Sequence, residues 1–343
     1  MRASPLWLFT AAIVASGWFH SLAPSVLAQD AKPAADKVSD KVEKDKVEKD
    51  KVAEKEEKKP AAKENFIRVV RNDKGTPLSM DTAIATYVSA DGKHPGVVID
   101  LIGAVHIGEK GYYEELNKKF EDYEVLLYEL VAPPNTKIPK GAKGGSGHPI
   151  AALQSGMKSM LGLEHQLECV DYTKANFVHA DMSPDEFNKS MKDRGESFGQ
   201  MFLKAIGAGM AQQATGTQGT SDFEILSALF AKNRAQKLRT AMAGQFENME
   251  SQIMLFDGPE GSTILTERNR KAFEVLAKQL EEGKKRIGVF YGAAHLPDMD
   301  KRLLSDFGMQ RKEMTWVKAW SLGDGKPAAA EPKKEEAQLE EKK

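Results

Sequence analysis

Two short segments of the chain share one form. Gly103-Ala104-Val105-His106 follows the apolar run GVVIDLI (Gly96 to Ile102), and Gly292-Ala293-Ala294-His295 follows RIGVFY (Arg286 to Tyr291). Beyond each histidine the residues read as a helix. Imidazole is the side chain that exchanges protons near neutral pH and the commonest metal ligand, so either segment could serve acid–base or ligation chemistry. In open α/β sheets, ligand sites lie at the carboxyl ends of strands, which puts both histidines on that rim. The Gly-Ala pair permits a tight strand exit and close backbone approach. Taken singly, each histidine reads as an ordinary turn residue. Glu129 alters that weighing, because it interrupts VLLYELV (Val125 to Val131), and a carboxylate in an apolar run is costly unless paired or coordinating. His106, Glu129 and His295 are therefore read as one shared site. They can converge only if the strands that carry them are close in the sheet.

Other chemistry-bearing residues are weaker candidates. In Phe177-Val178-His179-Ala180-Asp181, an extended chain puts His179 and Asp181 on one face as a metal or supporting pair. The plainer reading is that Asp181 caps or hydrogen-bonds near the following helix. His165 and Cys169 stand four apart on an expected helix with no evident partners, and read as packing residues. KGAKGGSG (Lys140 to Gly147) lacks the Gly-Lys-Ser/Thr ending of a phosphate-binding loop and the apolar strand that would precede it.

The elements that must position these residues follow from periodicity. Phe66 to Val70 and Thr82 to Ser89 read as strands around the turn Asn72-Asp73-Lys74-Gly75. Gly96 to Ile102, Val125 to Val131 and Arg286 to Tyr291 are apolar enough for buried strands. Helices are expected over Tyr112 to Phe120 and Ser262 to Glu282, the latter stopped by Gly283, and Met309 to Leu322 alternates as a last strand. Between them, residues 149–256 carry amphipathic patterns rich in Met, Phe and Leu, with Ser183-Pro184-Asp185-Glu186 as a helix start. Gly207 to Thr220 reads as a loop between helices. The expected class is α/β: a mixed sheet with two strand-GxxH-helix units framing a helical insertion.

The 343 residues do not all belong to that fold. Residues 1–28 have a positive Arg2, an uncharged stretch and the small-residue pattern Val26-Leu27-Ala28, as in a secretory signal peptide. Cleavage would leave no stable membrane span and an exported chain, periplasmic or secreted; retention would leave a membrane anchor. Residues 29–64 and 323–343 are charged and of low complexity, too poor in apolar surface to offset their ordering entropy. The fold is thus expected over residues 65–322. With 49 Lys+Arg against 50 Asp+Glu, bulk positive charge for nucleic-acid binding is absent. The single cysteine excludes an intramolecular disulfide framework or a Cys-rich metal site.

GAVHIGEKGYYEEL (Gly103 to Leu116), YELV (Tyr128 to Val131), TERNRKAFEVL (Thr266 to Leu276) and GAAHLPDM (Gly292 to Met299) resemble the TraB/GumN family. That family lies within the larger group that includes TIKI proteases, erythromycin esterases and ChaN-like proteins. The motifs frame most of the core, and the helical middle departs from the family pattern. Residue by residue, the resemblance implies a site at His106, Glu129, Arg268 and His295, with Tyr113 and Asn269 in support. His106, Glu129 and His295 then form a two-His, one-carboxylate set suited to a divalent metal ion with an open water position. Such a metal would lower the pKa of bound water, and Arg268 would stabilise the developing oxyanion. The reaction implied is hydrolysis of an amide (peptide) or small ester. A metal-free version, with one histidine as general base, follows from the erythromycin-esterase likeness. The alternative is a binding protein without turnover, for a peptide signal as in TraB-like proteins or for haem or iron as in ChaN-like ones.

Overall fold

The computed structural model describes residues 65–134, 136–141, 156, 158–197, 199–200, 227–228, 230–257 and 260–323. The expected signal peptide and tether, the tail beyond Gly323, most of KGAKGGSG and the loop Gly207 to Thr220 lie outside the described residues.

The architecture is α/β with a mixed sheet of seven strands. β1 (Ile67–Arg71) turns back into β2 (Pro77–Ser89) through Asn72, whose side-chain oxygen accepts the N–H groups of Lys74 and Thr76. β2 is longer than Thr82 to Ser89 because it has partners on both edges. Its start pairs with β1, its end with β3 (Val98–Ala104), and its other edge with β9 (Met309–Ser321), all antiparallel. From β3 onward the sheet is parallel, in the order β3, β8 (Arg286–Gly292), β5 (Val125–Tyr128), β7 (Phe177–His179). Nearly all residues of β3, β5 and β8 are buried, as continuous apolar runs in a doubly covered parallel sheet should be.

Alternate residues of these strands face two cores. Ile102, Leu126, Tyr128 and Phe290 pack with Tyr112, Leu116 and Phe120 of α1 (Lys110–Phe120). Leu238, Met242 and Phe246 of α4 (Arg234–Asp257) join that face. On the other, Ile99, Leu101, Val289 and Tyr291 pack with Phe273 and Leu276 of α5 (Arg268–Glu281) and with Leu296, Met299 and Leu303 of α6 (Leu296–Ser305). The period-two alternation of the strands thus supplies both faces.

Several expectations need correction. The strand in VLLYELV ends at Tyr128, so Glu129 stands just beyond its carboxyl end. Neither histidine passes directly from strand to helix. His106 lies between β3 and the two-residue β4 (Ile107–Gly108), which pairs with β6 (Glu164–His165), and His295 closes a 3-10 turn over Ala293–His295. The middle is not purely helical, since β7 joins the main sheet and β6 runs into the short α2 (Gln166–Cys169). The start read at Ser183 is a complete capping box on α3 (Pro184–Asp193): Ser183 accepts from the Glu186 N–H while Glu186 accepts from the Ser183 N–H. The helix expected from Ser262 opens as a π-helical turn over Thr263–Glu267 and becomes α-helical at Arg268.

Candidate functional site

The four parallel strands bring their carboxyl ends to one rim of the sheet. β8 lies between β3 and β5, with Ala104 opposite Gly292 on one side and Tyr128 opposite Phe290 on the other. His106 from beyond β3, Glu129 from beyond β5 and His295 from beyond β8 therefore meet around Gly292. A methyl group placed on Gly292 would lie 3.2 Å from Glu129 Oε2, 3.6 Å from His106 Nε2 and 3.7 Å from His295 Cδ2. The two imidazoles are thus no more than twice 3.7 Å apart at those atoms. Glycine at this position leaves room for all three, and its N–H donates to Glu129 Oε2 at 2.6 Å.

Glu129 is buried and charged. Its Oε1 accepts from Arg268 Nη2 at 2.7 Å and faces His295 Nε2 at 3.5 Å. Burial alone would raise its carboxyl pKa, but Arg268, followed by His295 and His106, outweighs burial and holds it well below the usual carboxylate range. Arg268, only 3% exposed, also forms a two-pronged contact with Asp181, Nε to Oδ1 at 2.9 Å and Nη2 to Oδ2 at 2.5 Å. Desolvation opposes its charge, and Asp181 and Glu129 more than offset that, so the guanidinium is raised above its ordinary range. Arg268 is thereby a clamp between the ends of β5 and β7.

Asn269 sets the tautomer of His295. Its Nδ2 donates to the His295 carbonyl at 3.2 Å and to Asp298 Oδ2 at 2.8 Å, so its Oδ1 is the acceptor facing His295 Nδ1 at 2.7 Å. His295 must therefore carry a proton on Nδ1 and present Nε2 to Glu129. Arg302 in turn holds Asp298, Nε to Oδ2 at 2.7 Å. This chain of contacts fixes the ring plane from outside the site.

His106 is the partly exposed member of the set, whereas His295 and Glu129 are buried. Its backbone is held on both sides: Tyr113 Oη donates to the Val105 carbonyl at 2.8 Å, and the Gln166 N–H donates to the His106 carbonyl at 2.9 Å. Tyr113 thus supports the site through the main chain. Gly108 lets the chain turn tightly here, since a Cβ would stand 2.9 Å from Tyr112 Cδ1.

The remaining candidates go elsewhere. His179 Nε2 hydrogen-bonds the Leu130 carbonyl at 2.5 Å. Asp181 accepts the Met182 N–H at 2.8 Å besides clamping Arg268, and it is this second role that sequence reasoning missed. His165 pairs with Ile107 across β4–β6, and Cys169 packs against the core. Asp298 and Gln166 also went unrecognised, because nothing in their local sequence points to a distant histidine.

The donor types around Gly292 suit a divalent ion, and the 3.5 Å between His295 Nε2 and Glu129 Oε1 is near the spacing of two ligands on one metal. Against that, Oε1 already bears the Arg268 cation. Among the described residues, no three His, Cys, Asp or Glu side chains are arranged to hold a metal ion. A groove of about 630 Å³ lined by Ser159, Met160, Lys232, Asn233 and Arg239 is separate, and none of the site residues lines it. No helix among the described residues is long and apolar enough to cross a membrane. Comparison with protein-family models, with curated proteins and with solved structures finds no match for this chain.

Proposed function

We propose that the chain is an exported hydrolase of amide or ester bonds, acting on a peptide or small ester through a water activated between His106 and His295. The observation that carries this reading is the meeting of two imidazoles and one buried, ionised carboxylate around Gly292, at the carboxyl ends of adjacent parallel strands. The repeated Gly-Ala-X-His segments at the ends of β3 and β8, and the resemblance of the motifs to the TraB/GumN family, support it. His106, which reaches solvent, takes the proton from water. Glu129 stabilises the imidazolium that forms, since its charge is already established before the proton moves. His295, its ring locked by Asn269, presents Nε2 to the same space. Arg268 keeps Glu129 ionised and in place; an oxyanion on the substrate would draw on the same guanidinium.

A divalent ion bound by His106, Glu129 and His295 is the metal-dependent form of this proposal, and would supply a more acidic water. Glu129 would reach it through Oε2, which accepts the Gly292 N–H, while Oε1 stays with Arg268. Purified chain, assayed with and without chelator on paired coumarin anilides and esters, tests both forms. His106→Ala and His295→Ala are expected to lose about 10²- to 10⁴-fold in turnover if the rings act in proton transfer. If they hold metal, the metal content falls with activity. Undiminished hydrolysis in both variants would overturn the catalytic assignment. Tight binding of a peptide or haem by a wild type without turnover would put a binding protein in its place.

A further inference from the structure

Asp298 stands in the first turn of α6 with its side chain 34% exposed, outside the groups that meet around Gly292. It reaches them through one intermediary. Asp298 Oδ2 accepts from Asn269 Nδ2 at 2.8 Å and from Arg302 Nε at 2.7 Å, and Asn269 Oδ1 faces His295 Nδ1 at 2.7 Å. The Asn269 amide is fully buried, and the second partner of its Nδ2 is the His295 carbonyl at 3.2 Å. A carboxylate and a carbonyl can only accept, so turning the amide over would set its oxygen against both of them. The amide orientation is therefore fixed by chemistry and is not interchangeable. The His295 proton is contested from the other side of the ring. Nε2 faces Glu129 Oε1 at 3.5 Å, and that carboxylate is ionised. A proton on Nε2 would be donated to Oε1, whereas a proton on Nδ1 leaves two acceptors, the bare Nε2 and Oε1, facing each other. What holds the proton on Nδ1 is Asn269 Oδ1, and that oxygen is turned to the ring because Nδ2 is held on Asp298, the shorter and charge-assisted of its two hydrogen bonds. Arg302, four residues on along α6, keeps Asp298 in place.

We infer that Asp298 is a positioning residue: by holding the Asn269 amide in one orientation it keeps the His295 proton on Nδ1 and Nε2 bare, against the pull of Glu129. The use made of the bare Nε2 rests on the hydrolytic reading, whereas the place of the proton does not. A bare Nε2 can take a proton or bind a metal ion, and a protonated one can do neither. Without Asp298 the amide is free to turn. Nδ2 then donates to Nδ1, and the ring proton moves to Nε2, where Glu129 receives it.

Long-range proton–nitrogen NMR spectra of the full chain read the ring directly, since bare and protonated imidazole nitrogens resonate far apart. The chain carries isotope-labelled histidine, is freed of metal with chelator, and is held roughly two pH units above the ordinary histidine pKa. The His295 signals are those missing from His295→Ala. Wild type is expected to show Nδ1 protonated and Nε2 bare. In Asp298→Leu, which removes the acceptor and fills its space, the pattern should invert or divide between the two forms. Asp298→Asn, whose oxygen Arg302 still holds, should restore the wild-type pattern. An unchanged pattern in Asp298→Leu would overturn the inference. So would a protonated Nε2 in wild type, an outcome that needs no variant to fold. On the hydrolytic reading, turnover falls about 10- to 100-fold in Asp298→Leu and recovers in Asp298→Asn; an inverted ring with undiminished turnover would overturn the positioning role. If wild type hydrolyses nothing while its ring and those of the variants behave as expected, the hydrolase reading alone fails and the assignment of Asp298 stands.

Discussion

Arg268 is the side chain whose loss the site should tolerate least. It is buried between Asp181 and Glu129, and removing it leaves two carboxylates without their shared cation. Arg268→Met is expected to destabilise the fold by about 3–5 kcal/mol, measured by urea unfolding, because an uncompensated buried charge costs more than a missing contact. Arg268→Lys should recover only part, since an ammonium cannot reproduce the two-pronged geometry. Glu129 adds a pH dependence of known sign. Its folded-state pKa lies below the ordinary range, so at pH values near and below about 4.3 the unfolded chain binds the extra proton first. The stability contributed by its ionisation is complete above that range and is lost as pH falls towards the folded pKa. The difference in unfolding free energy between wild type and Glu129→Gln should therefore shrink from pH 7 to pH 3. A constant difference across that interval would contradict the assignment. Asn269→Leu leaves His295 Nδ1 without its acceptor; turnover should fall while Glu129 and Arg268 remain paired, as kcat measured beside the wild type would show.

At the strand ends, small residues set how closely the site's side chains approach one another. Gly292 has φ −49, so alanine is allowed by its backbone, and the cost of Gly292→Ala is purely spatial. The added methyl group would press on Glu129 Oε2 at 3.2 Å and occupy the space between the two imidazoles, in ordinary contact with both. The expected outcome is a large loss of hydrolysis with a small change in unfolding temperature. Gly288, within β8, differs: its Cβ would stand 2.5 Å from Leu126 Cδ1 and 3.0 Å from Tyr123. Gly288→Ala should then destabilise by about 1–3 kcal/mol through overpacking, far from the rim. The capping box on α3 carries a prediction of stability alone, with Ser183→Ala costing about 1 kcal/mol in the unfolding free energy. The helix start at Ser183 was legible from Ser183-Pro184-Asp185-Glu186 alone, because capping involves residues within one turn. The π-helical turn before Arg268 was not. It lets the chain enter α5 so that Arg268 meets Asp181 and Asn269 meets His295, partners far off in sequence.

For the whole molecule, the order β3, β8, β5, β7 is what turns separate histidines into one site. The chain leaves β3, crosses through α1 to β5, and leaves between them a position that β8 fills after the entire middle of the sequence has been threaded. The middle also contributes: β6 clasps the strand after His106, α2 holds its carbonyl through Gln166, and β7 delivers Asp181. Deleting residues 149–256 is thus expected to abolish folding, measured as loss of cooperative thermal unfolding, rather than to trim an ornament. The export expectation is tested on the molecule as made: sequencing the amino terminus of the native protein should find a start near Gln29. Recovery of intact Met1 in the cytoplasm would remove it.

The sequence by itself determined the local facts: which stretches are strands buried on both faces, where α3 is capped, where Gly283 ends α5, and which residue types sit at the rim. These depend on periodicity and on neighbours within a turn or two, so they are written in short windows. It also marked Glu129 as a carboxylate in need of a partner, since an apolar run around an acid is costly wherever the run ends up. Only the tertiary structure decided what that partner is. The clamp of Arg268 on Glu129 and Asp181, the proton on His295 Nδ1 and the hold of the Gln166 N–H on the His106 carbonyl each join residues from different strands or helices. No local window can hold such information, because strand order and helix placement follow from burying both sheet faces at once, a property of the whole chain.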